Sequence, residues 1–278
     1  MDTIDILCVG EVLVDFIGHQ EGVLINETRD YHRYLGGSPT NVAMNSTRLG
    51  LNTIMVATVG NDGFGSYITE RLSSVGVNTN HLNILENKST SVIFVSRSDG
   101  TPDFIPYRSA DCCIYEEQIS SEILSNTKIF HTTCFALSKN PAQKTILKKA
   151  QEAHDLGCKL SIDLNYAKKL WKSQKKAFKV IKTYCQFNPL IKISEDDMLR
   201  LFEKELPHEE IFEFFHHQGV DTVCLTLGSK GVKLSQKGKE VIQMPAIKID
   251  KVLDSTGAGD AFWSGFLFAH IKEKSINQ

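Results

Sequence analysis

Near the end of the chain, Asp254-Ser255-Thr256-Gly257-Ala258-Gly259-Asp260 runs directly into the apolar helical pattern Ala261, Phe262, Gly265, Phe266 and Ala269. A glycine-rich turn that opens a helix aims unpaired backbone N–H groups and the positive end of the helix dipole at one point, which suits a phosphate. The spacing is not that of a P-loop, because G-x-x-x-x-G-K-[ST] is absent, and a dinucleotide fingerprint fails because position 262 is Phe. From the tip of the turn, the Asp260 carboxylate would face an anion held on the N–H groups of Gly257, Ala258 and Gly259. There it can accept the proton of an attacking hydroxyl while the hole stabilises charge on a phosphoryl group in transfer. Taken alone, the same residues also make an ordinary first-turn acid after a glycine turn.

A second cluster lies near the start. Gly36-Gly37-Ser38-Pro39-Thr40-Asn41 sets two glycines against a helix N-terminus with the Asn41 amide one turn in. Glycines let a ligand approach the backbone, and an amide both donates and accepts, which suits a polyol hydroxyl better than a phosphate. The bland alternative is a tight turn before a helix. Asp15, after the first apolar run, could grip two hydroxyls, although an acid at a strand end is commonly just solvated. His216-His217 reads as a solvated helix face, because no Cys or acid recurs at metal-ligand spacing. Trp171 and Trp263 read as packing residues.

The elements that must position these groups are short β-rich runs, Ile4–Val9, Thr53–Val59, Lys128–Thr132, Lys159–Asp163, Leu190–Ile193 and Thr222–Leu227, alternating with helical patterns. That order argues for an α/β fold, a doubly wound and mostly parallel sheet with helices on both faces. Ser38 as N-cap, Pro39 in the first turn and Gly50 past the end frame a helix at 39–49. Gly76, Gly157 and Gly219 stop three more, at 64–75, 141–156 and 209–218. Residues 12–35 and 90–108 break the alternation. Ser91–Arg97 and Asp103–Arg108 flank the turn 98–102 as a β-hairpin, and residues 12–35 could supply its partner strands, giving a small sheet that stands off the main one as a lid. No repeat or linker divides residues 1–278, so a single domain is expected.

Composition narrows the function classes. The 278 residues are 41% hydrophobic and 23% charged, ample for a packed core and unlike a disordered chain. With 31 Lys and Arg against 33 Asp and Glu the net charge is −2, which disfavours nucleic acid or an anionic membrane as the main partner. Seven cysteines without a C-x-x-C pair indicate neither a disulfide framework nor a zinc knuckle. The first residues lack a signal peptide's basic region, and no apolar run approaches a membrane span, so a reducing cytoplasm is expected.

With both motifs in order and more than two hundred residues apart, the chain resembles the ribokinase-like, or phosphofructokinase-B-type, carbohydrate kinases from Ile4 to about Ala269. The resemblance implies an ATP-dependent phosphotransferase with a doubly wound core and a β lid. Asp260 would be the base and Gly257, Ala258 and Gly259 the anion hole; Asp15, Gly36, Gly37 and Asn41 would bind the sugar. Thr226-Leu227-Gly228-Ser229-Lys230-Gly231, by itself a hairpin corner, is similar to the family's nucleotide turn, which implicates Thr226, Gly228 and Gly231 in ATP binding. Asp163-Leu164-Asn165 resembles a segment whose Asn lies near the phosphates. Tyr107 and Arg108, followed by Ala110-Asp111, are similar to a stretch of fructokinases and, more loosely, of 2-keto-3-deoxygluconate kinases. They would close over a ketose, and the resemblance makes fructose the first expectation. A homodimer through the lid is a further implication.

Departures from the family pattern matter as well. Ala167 stands where an Arg is usual two positions after Asn165, which favours a neutral sugar. The Asn-x-x-Glu segment that organises Mg²⁺ and phosphates is here Ser194-Glu195-Asp196-Asp197. Ser194 would then face ATP, while Glu195 and Asp197 would hold hydrated Mg²⁺ through water. Relatives continue beyond this helix with a segment that walls the adenine pocket, so the chain ending at Gln278 is expected to be short of it. The alternatives are a kinase of the same family acting on 2-keto-3-deoxygluconate, another sugar or a nucleoside, and a sugar-binding protein with weak turnover.

Overall fold

The computed structural model describes residues 3–97, 103–250 and 255–274. The chain forms β1 (Ile4–Val9), then leaves the main sheet for β2 (Leu13–Glu21) and β3 (Tyr31–Gly36), and returns through α1 (Ser38–Arg48) to β4 (Thr53–Gly60). After α2 (Gly63–Val75) and β5 (Leu82–Leu85), a second excursion builds β6 (Val92–Arg97) and β7 (Phe104–Tyr107). Then come α3 (Ser121–Ser125), β8 (Thr127–Thr133), α4 (Ala142–Asp155), β9 (Lys159–Asp163), α5 (Gln174–Cys185) and β10 (Leu190–Ser194). The last stretch holds α6 (Glu195–Phe202), α7 (His208–His217), β11 (Thr222–Thr226), β12 (Val232–Gln236), β13 (Ile242–Met244) and α8 (Ala258–Ile271).

The main sheet has the order β13-β12-β11-β10-β9-β8-β1-β4-β5, parallel throughout except where β12 and β13 add antiparallel to one edge. Both of its faces are covered, which explains runs that are apolar at every position rather than alternating. Along β1, Leu7 and Val9 enter the core under α3 to α7, with Phe130, Ile162, Tyr184 and Phe215. Ile6 and Cys8 enter the opposite core under α1, α2 and α8, with Met55, Ile68, Trp263 and Leu267. All seven cysteines are free and buried. From β1 the chain winds outward through β4 and β5 and then crosses to β8 on the other side. The C-terminal ends of β1 and β8 therefore flank the point where winding reverses, the usual ligand crevice of such sheets.

The small sheet expected from residues 12–35 and 90–108 is present, with the order β3-β2-β6-β7; β2 joins β6 in parallel and the other pairs are antiparallel. The turn expected at 98–102 lies outside the described residues. Gly50, Gly76, Gly157 and Gly219 all stop their helices with φ between +86° and +94°, the left-handed cap that glycine allows. One expected cap is corrected. Gly37, not Ser38, is the N-cap of α1, and Ser38 lies inside the first turn with its hydroxyl free for other use. Among the described residues, no helix is long and apolar enough to cross a membrane.

Candidate active site

α8 packs along α1, so the first turns of the two helices meet at the mouth of the crevice. Gly257 caps α8, and Asp260 falls in its first turn, facing α1. Asn41 Nδ2 donates to Asp260 Oδ2 at 2.8 Å, and Ser38 Oγ donates to Asp260 Oδ1 at 2.7 Å. The two expected motifs are thus joined by direct bonds between residues 219 and 222 positions apart. Ser38 Oγ also lies 3.2 Å from Asp163 Oδ2 at the end of β9. A hydroxyl has one hydrogen, so Ser38 bridges two carboxylates and gives its proton to the nearer, Asp260.

Asp15 approaches from β2. A Cβ added at Gly36 would lie 2.2 Å from Asp15 Oδ2, so that carboxylate rests on bare backbone and only glycine fits beneath it. No described residue donates a hydrogen bond to the Asp15 carboxylate. Burial, with the nearby Asp260 charge adding, pushes it up to about 7. An acid with open acceptor positions, opposite a held base, is suited to the paired hydroxyls of a sugar. Gly37 is the N-cap that brings α1 to this point, its backbone close against the Glu11 carbonyl. Asp254, the first residue of the C-terminal motif, lies outside the described residues.

Strand register collects the remaining candidates along the C-terminal edge of the sheet, where Thr133 pairs with Asp163, Asp163 with Lys192, and Ser194 with Thr226. Several are already engaged. Asn165 Oδ1 accepts from the Phe135 N–H at 3.0 Å, and Ser194 Oγ caps α6 by accepting from the Asp197 N–H at 3.0 Å. Asp197 bonds Ser194 through one oxygen and accepts from Arg200 at 2.6 Å through the other, so each oxygen already carries one partner. Glu195 is one-third exposed and meets His208 at 3.2 Å and Lys230 at 3.9 Å. Gly228 and Gly231 bound a tight turn closed by the Leu227 N–H on the Gly231 carbonyl at 2.8 Å. Among the described residues, no three His, Cys, Asp or Glu gather as a metal-binding group.

Tyr107 and Arg108 stand at the end of the small sheet. Tyr107 is exposed, whereas the Arg108 guanidinium is buried, bonded twice to Asp111 at 2.6 and 2.8 Å, bonded to Ser138 and stacked 4.2 Å over the Phe135 ring. Both line a cleft of about 740 Å³ that also takes in Arg33, Asp62, Phe64 and Thr90. Asp15, Asn41 and Asp260 do not line it. Two buried groups had no sequence signal. Glu11 accepts from Thr133 Oγ1 at 2.7 Å, and burial pushes its carboxyl up to about 8. Lys192, a single basic residue in an apolar strand, donates to Asp163 Oδ2 at 2.9 Å. His216, expected on a solvated face, is half-buried and bonded to the Val220 carbonyl and Ser235, while His217 is exposed.

Known proteins resemble this geometry. The model of the pfkB family of carbohydrate kinases matches residues 3–278. An ATP-dependent 6-phosphofructokinase of Thermoanaerobacterium thermosaccharolyticum is 37% identical over 99% of this chain and 84% of its own. The structure of Halothermothrix orenii fructokinase superposes with a TM-score of 0.86 and 34% identity, covering 96% of this chain and 93% of that one. An uncharacterized sugar kinase of Pyrococcus horikoshii, in complex with ATP, gives a TM-score of 0.84 and 29% identity over 98% of this chain and 86% of its own.

Proposed function

The chain belongs to the pfkB family of carbohydrate kinases, and from that premise we propose that it transfers the γ-phosphoryl group of ATP to a hydroxyl of fructose. One observation carries the reading: the Asp260 carboxylate, next to the turn that opens α8, is held by Ser38 and Asn41 opposite an Asp15 carboxylate with open acceptor positions. Asp15, with Asn41 beside the base and the backbone at Gly36 and Gly37, would orient the sugar. Asp260 would take the proton of the attacking hydroxyl, and the N–H groups of Gly257, Ala258 and Gly259 would meet the transferred group. The Pyrococcus relative is in complex with ATP, which supports ATP as the donor, and the nucleotide would bind at the edge formed by Asn165, Ser194, Thr226, Gly228 and Gly231. Magnesium would enter as the Mg·ATP substrate. Glu195 and Asp197 would meet its water shell, Glu195 beside His208 and Asp197 while also holding Ser194 and Arg200.

A phosphorylated ketose is a second reading, favoured by the exposed Arg33 and the buried Arg108, which both line the cleft, and by the name of the Thermoanaerobacterium relative. The small sheet would act as the lid that excludes water, and its outer aromatic face would join two copies of the chain. Seven buried thiols support work in a reducing cytoplasm.

Coupled ADP release with Mg·ATP over fructose, fructose 6-phosphate, ribose, glucose, 2-keto-3-deoxygluconate and adenosine tests the reading. Fructose is expected to give the highest kcat/KM. A preference for fructose 6-phosphate would select the second reading, and silence with every acceptor would leave a sugar-binding protein.

A further inference from the structure

A lysine in a covered parallel strand is a costly choice, since an ammonium loses its hydration there unless charges and hydrogen bonds replace it. Lys192 lies between Ile191 and Ile193 in β10, and its side chain is 7% exposed. Its bond to Asp163 uses one of three N–H groups, and the other two have no acceptor among the described residues. A Cβ added at Gly259 would lie 2.9 Å from Lys192 Nζ and 3.4 Å from Cε, so the ammonium rests against the backbone of the turn that opens α8. The chain reaches the base as well: Lys192 holds Asp163, Ser38 touches Asp163, and Ser38 donates to Asp260.

The surroundings show why a cation is needed there. Asp15, Asp163, Asp197 and Asp260 interact with one another or with Lys192 across the crevice. A phosphoryl group entering the turn would meet a field of carboxylates, and Lys192 is the buried cation set against them. Burial alone would lower its pKa; Asp163, Asp197 and Asp260 outweigh burial and raise it, so the charge is kept.

We propose that Lys192 is a positioning residue whose fixed positive charge beneath the Gly257-Ala258-Gly259 turn offsets the phosphoryl group in transit and, through Asp163 and Ser38, holds Asp260 in place as the base. The inference rests on the kinase reading above. A purely structural lysine would serve only to neutralise Asp163, and the double variant Lys192→Met/Asp163→Asn separates the two roles because it leaves neither charge buried alone.

In the double variant kcat is expected to fall about 10²-fold with the sugar KM unchanged, the mark of an interaction made in the transition state. Titration of ADP with aluminium fluoride, a mimic of the phosphoryl group in flight, gives a readout free of turnover. It should bind the double variant about tenfold more weakly, while ADP alone binds both proteins alike. Wild-type kcat and wild-type aluminium fluoride affinity in the double variant would overturn the proposal. A wild-type protein inactive toward every acceptor would strike instead at the kinase reading, and the titration would still decide the role of Lys192.

Discussion

Gly36 and Asp15 show how narrow the sugar side of the crevice is. The Asp15 carboxylate lies where a Cβ of residue 36 would be, and Gly36 does not have a positive φ, so the glycine answers to contact rather than to backbone conformation. Gly36→Ala is therefore expected to displace the carboxylate and raise the sugar KM by about tenfold, the loss of roughly one hydrogen bond to a charged group. Gly50→Ala is the control. Its φ of +86° makes it strained, yet nothing lies within 4 Å, so it should cost about 1 kcal/mol of stability without touching KM. Steady-state kinetics and denaturant titration check both, and an unchanged KM in Gly36→Ala would remove Asp15 from the sugar site. Asp15, Asn41 and Asp260 were legible in the sequence because each sits beside a glycine turn or a strand end. Ser38 and Lys192 were not. A Ser before Pro reads as an N-cap, and a lone Lys in Leu-Ile-Lys-Ile reads as an edge residue until the register sets it beside Asp163.

The strands were legible as elements because a sheet covered on both faces writes itself as unbroken apolar runs, and the helices because four glycines mark their ends. The parallel pairing of β2 with β6 was not, since it joins residues nearly eighty positions apart and leaves no local pattern. That small sheet carries two different faces. One turns Leu13 and Ile93 toward Phe135. The other groups Phe16, Tyr31, Phe94 and Tyr107 by ring contacts of 5.0 to 6.0 Å, with Ile105 opposite Phe94 in the register. Phe16 is covered by Phe64 of α2, but Ile105 and Tyr107 are 40% and 60% exposed. An aromatic face left open at one end favours burial against a like surface. Ile105→Glu is expected to shift the proposed dimer to monomer in sedimentation velocity, by placing a charge in that apolar face. A wild-type protein that is monomeric at all concentrations would remove the dimer. The same sheet is tied to the main body at Asp62, whose carboxylate caps α2 and also accepts from both the N–H and hydroxyl of Thr90, two residues before β6.

Over the whole molecule, the crevice stores charge that folding alone would reject. Burial pushes Glu11 up to about 8, Asp15 to about 7 and Asp163 to about 6, the last against the pull of Lys192. Each carboxyl holds its proton more tightly folded than unfolded, so each destabilises the fold as pH rises from its ordinary value through its folded one. His131 and His270 act the other way. Burial lowers both, His131 to about 3, so the fold gains stability as pH climbs to the ordinary histidine value near 6.5 and gains no more beyond it. The opposing effects separate above about pH 7, where the carboxyls still titrate, and above about pH 8 the buried thiols join them, because burial raises Cys8, Cys112, Cys134, Cys158, Cys185 and Cys224 above their unfolded value. Thermal stability is therefore expected to decline from pH 7 upward, with Glu11 the main contributor as far as about pH 8 because its value lies highest among the carboxyls. Glu11→Gln should flatten the decline between pH 7 and pH 8 and raise Tm at pH 8, since the amide oxygen can still accept from Thr133 and nothing there need ionise. Melting curves of both proteins across this range decide it. An equal decline in the variant would mean that Glu11 is already ionised in the fold, and that the acid field around the turn, with the demand it places on Lys192, is larger still.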